Sequence, residues 1–221
     1  MTKRAFQIFE DDFDGAVANI PTSADPASPW MAVVTAAAGS PVLTKGTSVL
    51  TATLAATSEV EVLNPYFGDA LQYDIDDLQR IEFLMRTNGT AFTSGSILVF
   101  GLAAGRNSTA DSVAASVWFR MEGANSTTLV YAESYDGVRN NDDVSTGVTL
   151  TNSFKEFVID FTHGKSDVRF YIDGQRVCAN QTFDMSGYTS GLQPYIQLQK
   201  AANTNVNGIV CDYVKVTAKR A

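Results

Sequence analysis

This sequence predicts an all-β fold, and three observations carry the prediction. Helical periodicity is almost absent. Short segments alternate apolar and polar residues at a period of two, as half-buried strands do. Clusters of Gly, Asn, Asp and Ser separate these segments at the short, regular spacing of a β-sandwich or barrel.

Residues 1–9 read as an extended N-terminal arm, and Thr22 to Pro29, with Pro21, Pro26 and Pro29, as a loop. Val49 to Leu54 and Val60 to Leu63 read as strands. Ile81, Phe83 and Met85 alternate with Glu82 and Arg86, giving the single apolar face of a sheet packed on one side. Ile97 to Leu102 differs, because Ile97, Leu98, Val99, Phe100 and Leu102 are apolar on both faces. Such a strand is either central and covered on both sides, or meets another subunit with one face. Val117, Phe119 and Met121 alternate with Trp118, Arg120 and Glu122, which puts Trp118 opposite the core side. Asn140 to Asp143 reads as a polar loop. Phe157, Ile159 and Phe161 form a hairpin with Val168, Phe170 and Ile172 around His163-Gly164-Lys165. Asp173-Gly174 is a type I′ turn signal leading into Arg176–Val177. Ile196 and Leu198 alternate with Gln197 and Gln199, and Val210, Val214 and Val216 make the last strand. No linker or internal repeat divides the chain, so one domain spanning 1–221 is expected.

Composition narrows the partners. Of 221 residues, 45% are hydrophobic and 18% charged, which is the balance of a globular chain. A chain of this length buries roughly 70% of its unfolded surface, so it needs neither disulfide nor metal to fold. The net charge of -8 argues against nucleic acid and against an anionic membrane surface. Lys3 and Arg4 at one end and Lys219 and Arg220 at the other are the basic exceptions. Cys178 and Cys211 read as reduced, buried thiols, because the N-terminal residues lack the apolar run of a secretory leader. The sequons at Asn88, Asn107, Asn125 and Asn180 are then polar loop chemistry.

Two stretches carry a family resemblance. Phe9-Glu10-Asp11-Asp12-Phe13-Asp14-Gly15, with Trp30 after a Pro/Ser loop, resembles the opening of concanavalin A-like glucanase and lectin domains. Phe157 to Phe161 and Asp167 to Gly174 resemble the hairpin of laminin-G-like domains, and Asp212-Tyr213-Val214-Lys215-Val216 their closing strand. The resemblance implies a two-sheet antiparallel jelly-roll sandwich of the concanavalin A-like kind. It covers both ends of the chain well and the middle weakly.

Glucanases of that superfamily carry Glu-x-Asp-x-x-Glu on one strand, which sets paired carboxylates on one face for acid/base work. No such spacing occurs here, and Glu59-Val60-Glu61 is the nearest pair of glutamates. His163, the only histidine, sits in a turn, which disfavours a nucleophile–histidine arrangement. Calcium is the one cation worth weighing: Glu10, Asp11, Asp12 and Asp14 would meet Asp212 if the first and last strands pair. Solvated carboxylates are the simpler reading, so no cofactor is expected.

The missing catalytic set and the small-residue loops make the chain resemble phage virion proteins of this fold, closest in character to a capsid decoration (cement) protein. The leading expectation is therefore a non-enzymatic structural protein, made in the host cytoplasm and placed on the capsid surface. It would bind the major capsid protein as a homo-oligomer, such as a trimer, and stabilise the shell by mass action. Lys3, Arg4, Phe6, Lys219 and Arg220 are the expected capsid contacts, and Leu98, Phe100 and Leu102 the expected subunit interface. The alternative is a lectin-like carbohydrate-binding module for host attachment, with Trp118, Tyr131, Tyr135 and Tyr171 as its aromatic platform. A remote glycosidase would need two carboxylates facing each other about 5–9.5 Å apart.

Overall fold

A computed structural model describes residues 6–14, 20–26, 28–46, 48–70 and 73–219. Two antiparallel sheets face each other. Sheet I runs in the order β14 (Gln175–Val177), β13 (Arg169–Ile172), β12 (Lys155–Asp160), β7 (Leu78–Thr87), β16 (Gly208–Lys219), β4 (Val49–Thr53) and β3 (Val42–Gly46). The first strand, β1 (Phe6–Asp11), adds to the far half of β16. Sheet II runs β11 (Asn140–Thr149), β10 (Leu129–Tyr135), β9 (Ser116–Glu122), β8 (Ser96–Ala103), β15 (Gly191–Asn203), β5 (Glu59–Tyr66) and β2 (Met31–Thr35), with the short β6 (Tyr73–Asp74) on β15. Each sheet joins hairpin neighbours, β8 to β11 and β12 to β14, to strands far apart in sequence, as in the β7–β16 and β8–β15 pairs.

The period-two pattern builds the interior. Ile81, Phe83 and Met85 of β7 and Phe157 and Ile159 of β12 are fully buried from sheet I. Leu98, Phe100 and Leu102 of β8 and Val117, Phe119 and Met121 of β9 meet them from sheet II. The Phe100 ring lies 5.5 Å from Phe83, 5.5 Å from Phe119 and 4.9 Å from Phe157. Phe119 adds edge contacts to Phe157 and Phe170, both at 5.0 Å. Aromatic pairs at these offsets contribute beyond the apolar area they bury. Leu98, Phe100 and Leu102 thus belong to the interior of this chain and offer nothing to a second subunit, which corrects that expectation. Of the two explanations for an apolar two-faced strand, coverage on both sides is the one realised.

The hairpins follow the turn chemistry. β12 and β13 pair through the 161–168 turn, and Asp173 (φ 49°) with Gly174 (φ 73°) supplies the two left-handed residues of a type I′ turn. The first and last strands do pair, Phe6 opposite Lys219 and Glu10 opposite Lys215. From residue 6 the expected arm is therefore a sheet strand, while Lys3, Arg4 and Arg220 lie outside the described residues. Asn140 to Asp143 is not a loop but the start of β11, held by pairing to β10. Both cysteines are free thiols; Cys211 is buried and Cys178 is partly so.

One charge pair is sealed in the sandwich. Lys200 of β15 and Glu61 of β5 lie opposite each other in register, with Nζ and Oε1 3.4 Å apart and both side chains without exposure. Lys200 also donates to the carbonyls of Ala55 and Thr57, and Glu61 accepts the N–H of Ala55 at 2.8 Å. The pair pins the 55–57 turn to the end of the core. Neighbouring Glu59 accepts the N–H groups of Ala37, Ala38 and Gly39. Both glutamates of the Glu59-Val60-Glu61 pair therefore serve loop closure. Removing one partner of a buried pair strands the other charge, so Glu61→Ala should cost about 3–5 kcal/mol in urea denaturation, and Glu61→Leu with Lys200→Met should recover most of it. A single-variant cost near zero would show that the pair is not sealed from water.

Candidate functional site

The outer face of sheet II carries the densest chemistry among the described residues. β9 points Trp118, Arg120 and Glu122 outward, and in register β10 sets Glu133 opposite Trp118 and Tyr131 opposite Arg120. Between Ala132 and Ser134 the β10–β11 register shifts, so that Asp142 and Asp143 together face Glu133. Such a bulge re-aims side chains. Asp143 takes φ 48° here, a conformation that Asp tolerates better than most residues. One ligand atom from each of Glu133, Asp142 and Asp143 lies within 4.8 Å of the others. These are hard oxygen donors of the type that calcium or magnesium takes.

Arg120 stands among these acids. Its side chain is 5% exposed, yet its guanidinium reaches four carboxylates. It is hydrogen-bonded to Asp111, bonds Glu122 at 2.7 Å, and lies 3.5 Å from Glu133 and 4.0 Å from Asp143. Burial pulls the guanidinium down, and Asp111, Glu133 and Glu122 more than reverse that, so it stays charged. Glu133 accepts the Trp118 indole N–H at 2.7 Å. Burial pushes the Glu133 carboxyl up to about 8 against the pull of Arg120 and the indole, and Asp143 and Asp142 add repulsion. Burial thus favours the protonated form of Glu133, the form that can donate as well as accept.

Beside this cluster opens a cavity of about 130 Å³, lined among others by Asp111, Trp118, Glu133, Ser134, Tyr135 and Asp142. Its walls come from β9, β10, β11 and the 104–115 segment that joins β8 to β9. A bare backbone beneath makes this packing possible. Gly101 of β8 sits opposite Trp118, and a Cβ there would fall 2.4 Å from the Val117 carbonyl and 2.7 Å from Trp118 Cβ. The indole lies instead against Tyr195, with ring centres 6.1 Å apart and planes 26° apart.

The four aromatic residues expected to bind sugar do not form one platform. Trp118 is on the outer face as predicted, but only 2% exposed, because the 104–115 segment covers it. Tyr131 is buried and Tyr135 half-buried at the pocket rim. Tyr171 stands on β13 of sheet I and lines a separate groove with Arg80, Glu156 and Asp160. Of the expected capsid contacts, Phe6 is 53% exposed, next to Ile8 at 61%, and Lys219 pairs across from Phe6. The N-terminal acids do not converge on Asp212 but turn to separate partners. Glu10 pairs with Lys215, Asp11 accepts the Trp30 indole N–H, and Asp14 accepts from Ser48. His163 is exposed and contacts Arg169 through Nε2 at 2.8 Å. Glu133, Asp111, Asp142 and Asp143 have no signature in the sequence, because a single-strand spacing such as Glu-x-Asp-x-x-Glu does not describe carboxylates brought together from different strands. The pair that exists is built across a hairpin and a bulge.

No protein-family model matches the sequence, and no curated protein matches it. Solved structures do match. A laminarinase from Flavobacterium sp. UMI-01 is 14% identical, with TM-score 0.61 over 94% of this chain and 98% of the other. A non-specific endo-β-1,3(4)-glucanase of family GH16 is 13% identical, with TM-score 0.62 over 98% and 95%. The carbohydrate recognition domain of Emp47p is 10% identical, with TM-score 0.61 over 93% and 94%. The fold is a concanavalin A-like jelly roll. At these identities the likeness is one of fold. It nevertheless corrects one expectation: glucanases and laminarinases share this architecture with lectins, so a non-enzymatic role does not follow from it. These neighbours carry no virion or capsid character.

The Glu133 carboxyl gives a pH signature. Its folded value, about 8, lies above the ordinary glutamate value of about 4.5, so its contribution is fully present below about pH 4.5 and is lost as the pH rises through 8. The melting temperature of the wild type relative to Glu133→Gln should therefore fall between those limits and level off above them. Parallel curves from pH 4 to 9 would show that burial does not govern this carboxyl.

Proposed function

We propose that this protein binds carbohydrate, and that the pocket on the outer face of sheet II holds a sugar unit. The observation that supports this most is the pocket's composition. A tyrosine ring at the rim can meet the C–H face of a pyranose, while the carboxyls of Glu133 and Asp142 and the hydroxyls of Ser116 and Ser134 can bond its hydroxyls. Carboxylates accept two hydroxyl hydrogens at once, and a protonated Glu133 offers a donor to a ring or glycosidic oxygen. The fold neighbours include a carbohydrate recognition domain and several β-glucanases, which support this reading more than attachment to a capsid. Capsid docking draws on the exposed Phe6 and Ile8 of β1 and on nothing in the pocket.

A glycan array followed by calorimetry tests the proposal, with β-1,3-linked gluco-oligosaccharides as the first probe. Tyr135→Ala and Asp142→Asn should each weaken binding by about 10-fold or more, the size expected for losing one well-placed contact, while Tyr171→Ala on the other sheet should not. Release of new reducing ends in the same samples reports whether a bound glycan is also cleaved. A blank array, or binding that survives both pocket variants and is lost in Tyr171→Ala, would overturn the assignment.

A further inference from the structure

The pocket occupies one end of a longer face that the chain itself covers. We propose that residues 104–115 form a displaceable strap, and that its displacement extends the pocket into a groove along which a glycan chain lies. This inference rests on the carbohydrate reading and adds to it the control of access.

The covered surface is unlike a face made only for burial. Trp118, Tyr195 and Tyr66 form an aromatic row across β9, β15 and β5, with Tyr195 and Tyr66 centred 6.4 Å apart. Around them stand Gln193, Gln197, Asn64 and Arg120, all buried. The inner face of the same sheet presents Leu98, Phe100, Val117, Phe119, Ile196 and Leu198 instead. Aromatic rings interleaved with amides and a guanidinium suit a ligand with apolar ring faces and many hydroxyls. Asn64 is fully buried and donates to the Ile196 carbonyl, but its Oδ1 has no partner. An unsatisfied buried acceptor costs free energy, and a water or ligand hydroxyl reaching this face would relieve that cost.

A handful of contacts hold the strap, among them the Arg106 N–H donating to Asp69 Oδ1 at 2.7 Å, an oxygen that also accepts from Gln193. The strap's apolar anchors are small, chiefly Ala110 and Val113. The Tyr195 hydroxyl donates to the Asn107 carbonyl at 3.2 Å, and the Gln197 amide to the Ser108 carbonyl at 3.3 Å. Asp111 bonds Arg120 but is itself 57% exposed, so water competes for that latch. The base is firmer, where the Ala104 N–H meets the Ala115 carbonyl at 2.9 Å. Ala110, Asp111 and Val113 also form a wall of the pocket, so lifting the strap widens the cavity along the aromatic row.

Hydrogen exchange by mass spectrometry on the whole chain, with and without β-1,3-linked gluco-oligosaccharides of two to six units, tests the strap. Amides of 105–114 should exchange at least about 10-fold faster than those of β8 and β9, and faster again in Asp111→Ala. The ratio of hexasaccharide to disaccharide affinity should rise by about 10-fold in that variant, because opening no longer draws on binding energy. If the oligosaccharides bind but length makes no difference in either form, and 105–114 stays as protected as the strands, the strap is fixed and only the single-sugar pocket remains. If neither form binds any member of the series while 105–114 exchanges rapidly, the glycan is the wrong occupant, and this inference and the carbohydrate reading fall together.

Discussion

Between the sheets, the ring of Phe100 touches Phe83, Phe119 and Phe157, and the rest of the molecule is arranged to keep that contact dry. Phe100 lies on β8, a central strand of sheet II, so neither face of β8 is open to solvent at an edge. The residue beside it, Gly101, makes the opposite demand. It leaves a bare patch on the outer face into which Trp118 settles. The inner face is closed by sheet I and the outer by the chain running from β8 to β9. The 104–115 segment is therefore as much a consequence of β8 as the aromatic core is.

The same outer face concentrates charge where little water reaches. Arg120 is one cation facing Asp111, Glu122, Glu133 and Asp143, and burial together with the neighbouring acids pushes the Glu133 carboxyl upward. That carboxyl is held on one side by the indole of Trp118 and on the other by the bulged pair Asp142 and Asp143. The core and the site thus share a strand: Val117, Phe119 and Met121 fill the interior, and Trp118, Arg120 and Glu122 organise the exterior.

Period two made the architecture legible. The alternations at 81–86, 117–122 and 157–172 sorted inner from outer residues, including the outward aim of Trp118, and Asp173-Gly174 marked its turn. What alternation does not encode is which loop returns over which face, so the covering of Trp118 and the separation of Tyr171 from the other aromatics were invisible. The bulge was invisible for a related reason. Asn140-Asn141-Asp142-Asp143 has the composition of a loop, and only pairing with β10 draws it into a sheet. Leu98, Phe100 and Leu102 show a third limit: apolarity on both sides announces two covers but does not say whether a second molecule supplies one.

At Asn107 and Ser108 the covering segment meets the face beneath it through carbonyl oxygens, groups that every amino acid carries, while Ala110, Asp111 and Val113 engage it through their side chains. The Ser108 side chain is consequently released from the duty of recognition. Substitution of Ser108 leaves its contact in place, whereas Asn107 bonds Ser112 and Thr109 within the loop, and Ala110, Asp111 and Val113 are tied to the face by their own side chains. For protein engineering, a grafted loop that keeps Ala110, Asp111 and Val113 retains the old attachment and brings a different ceiling to the same floor.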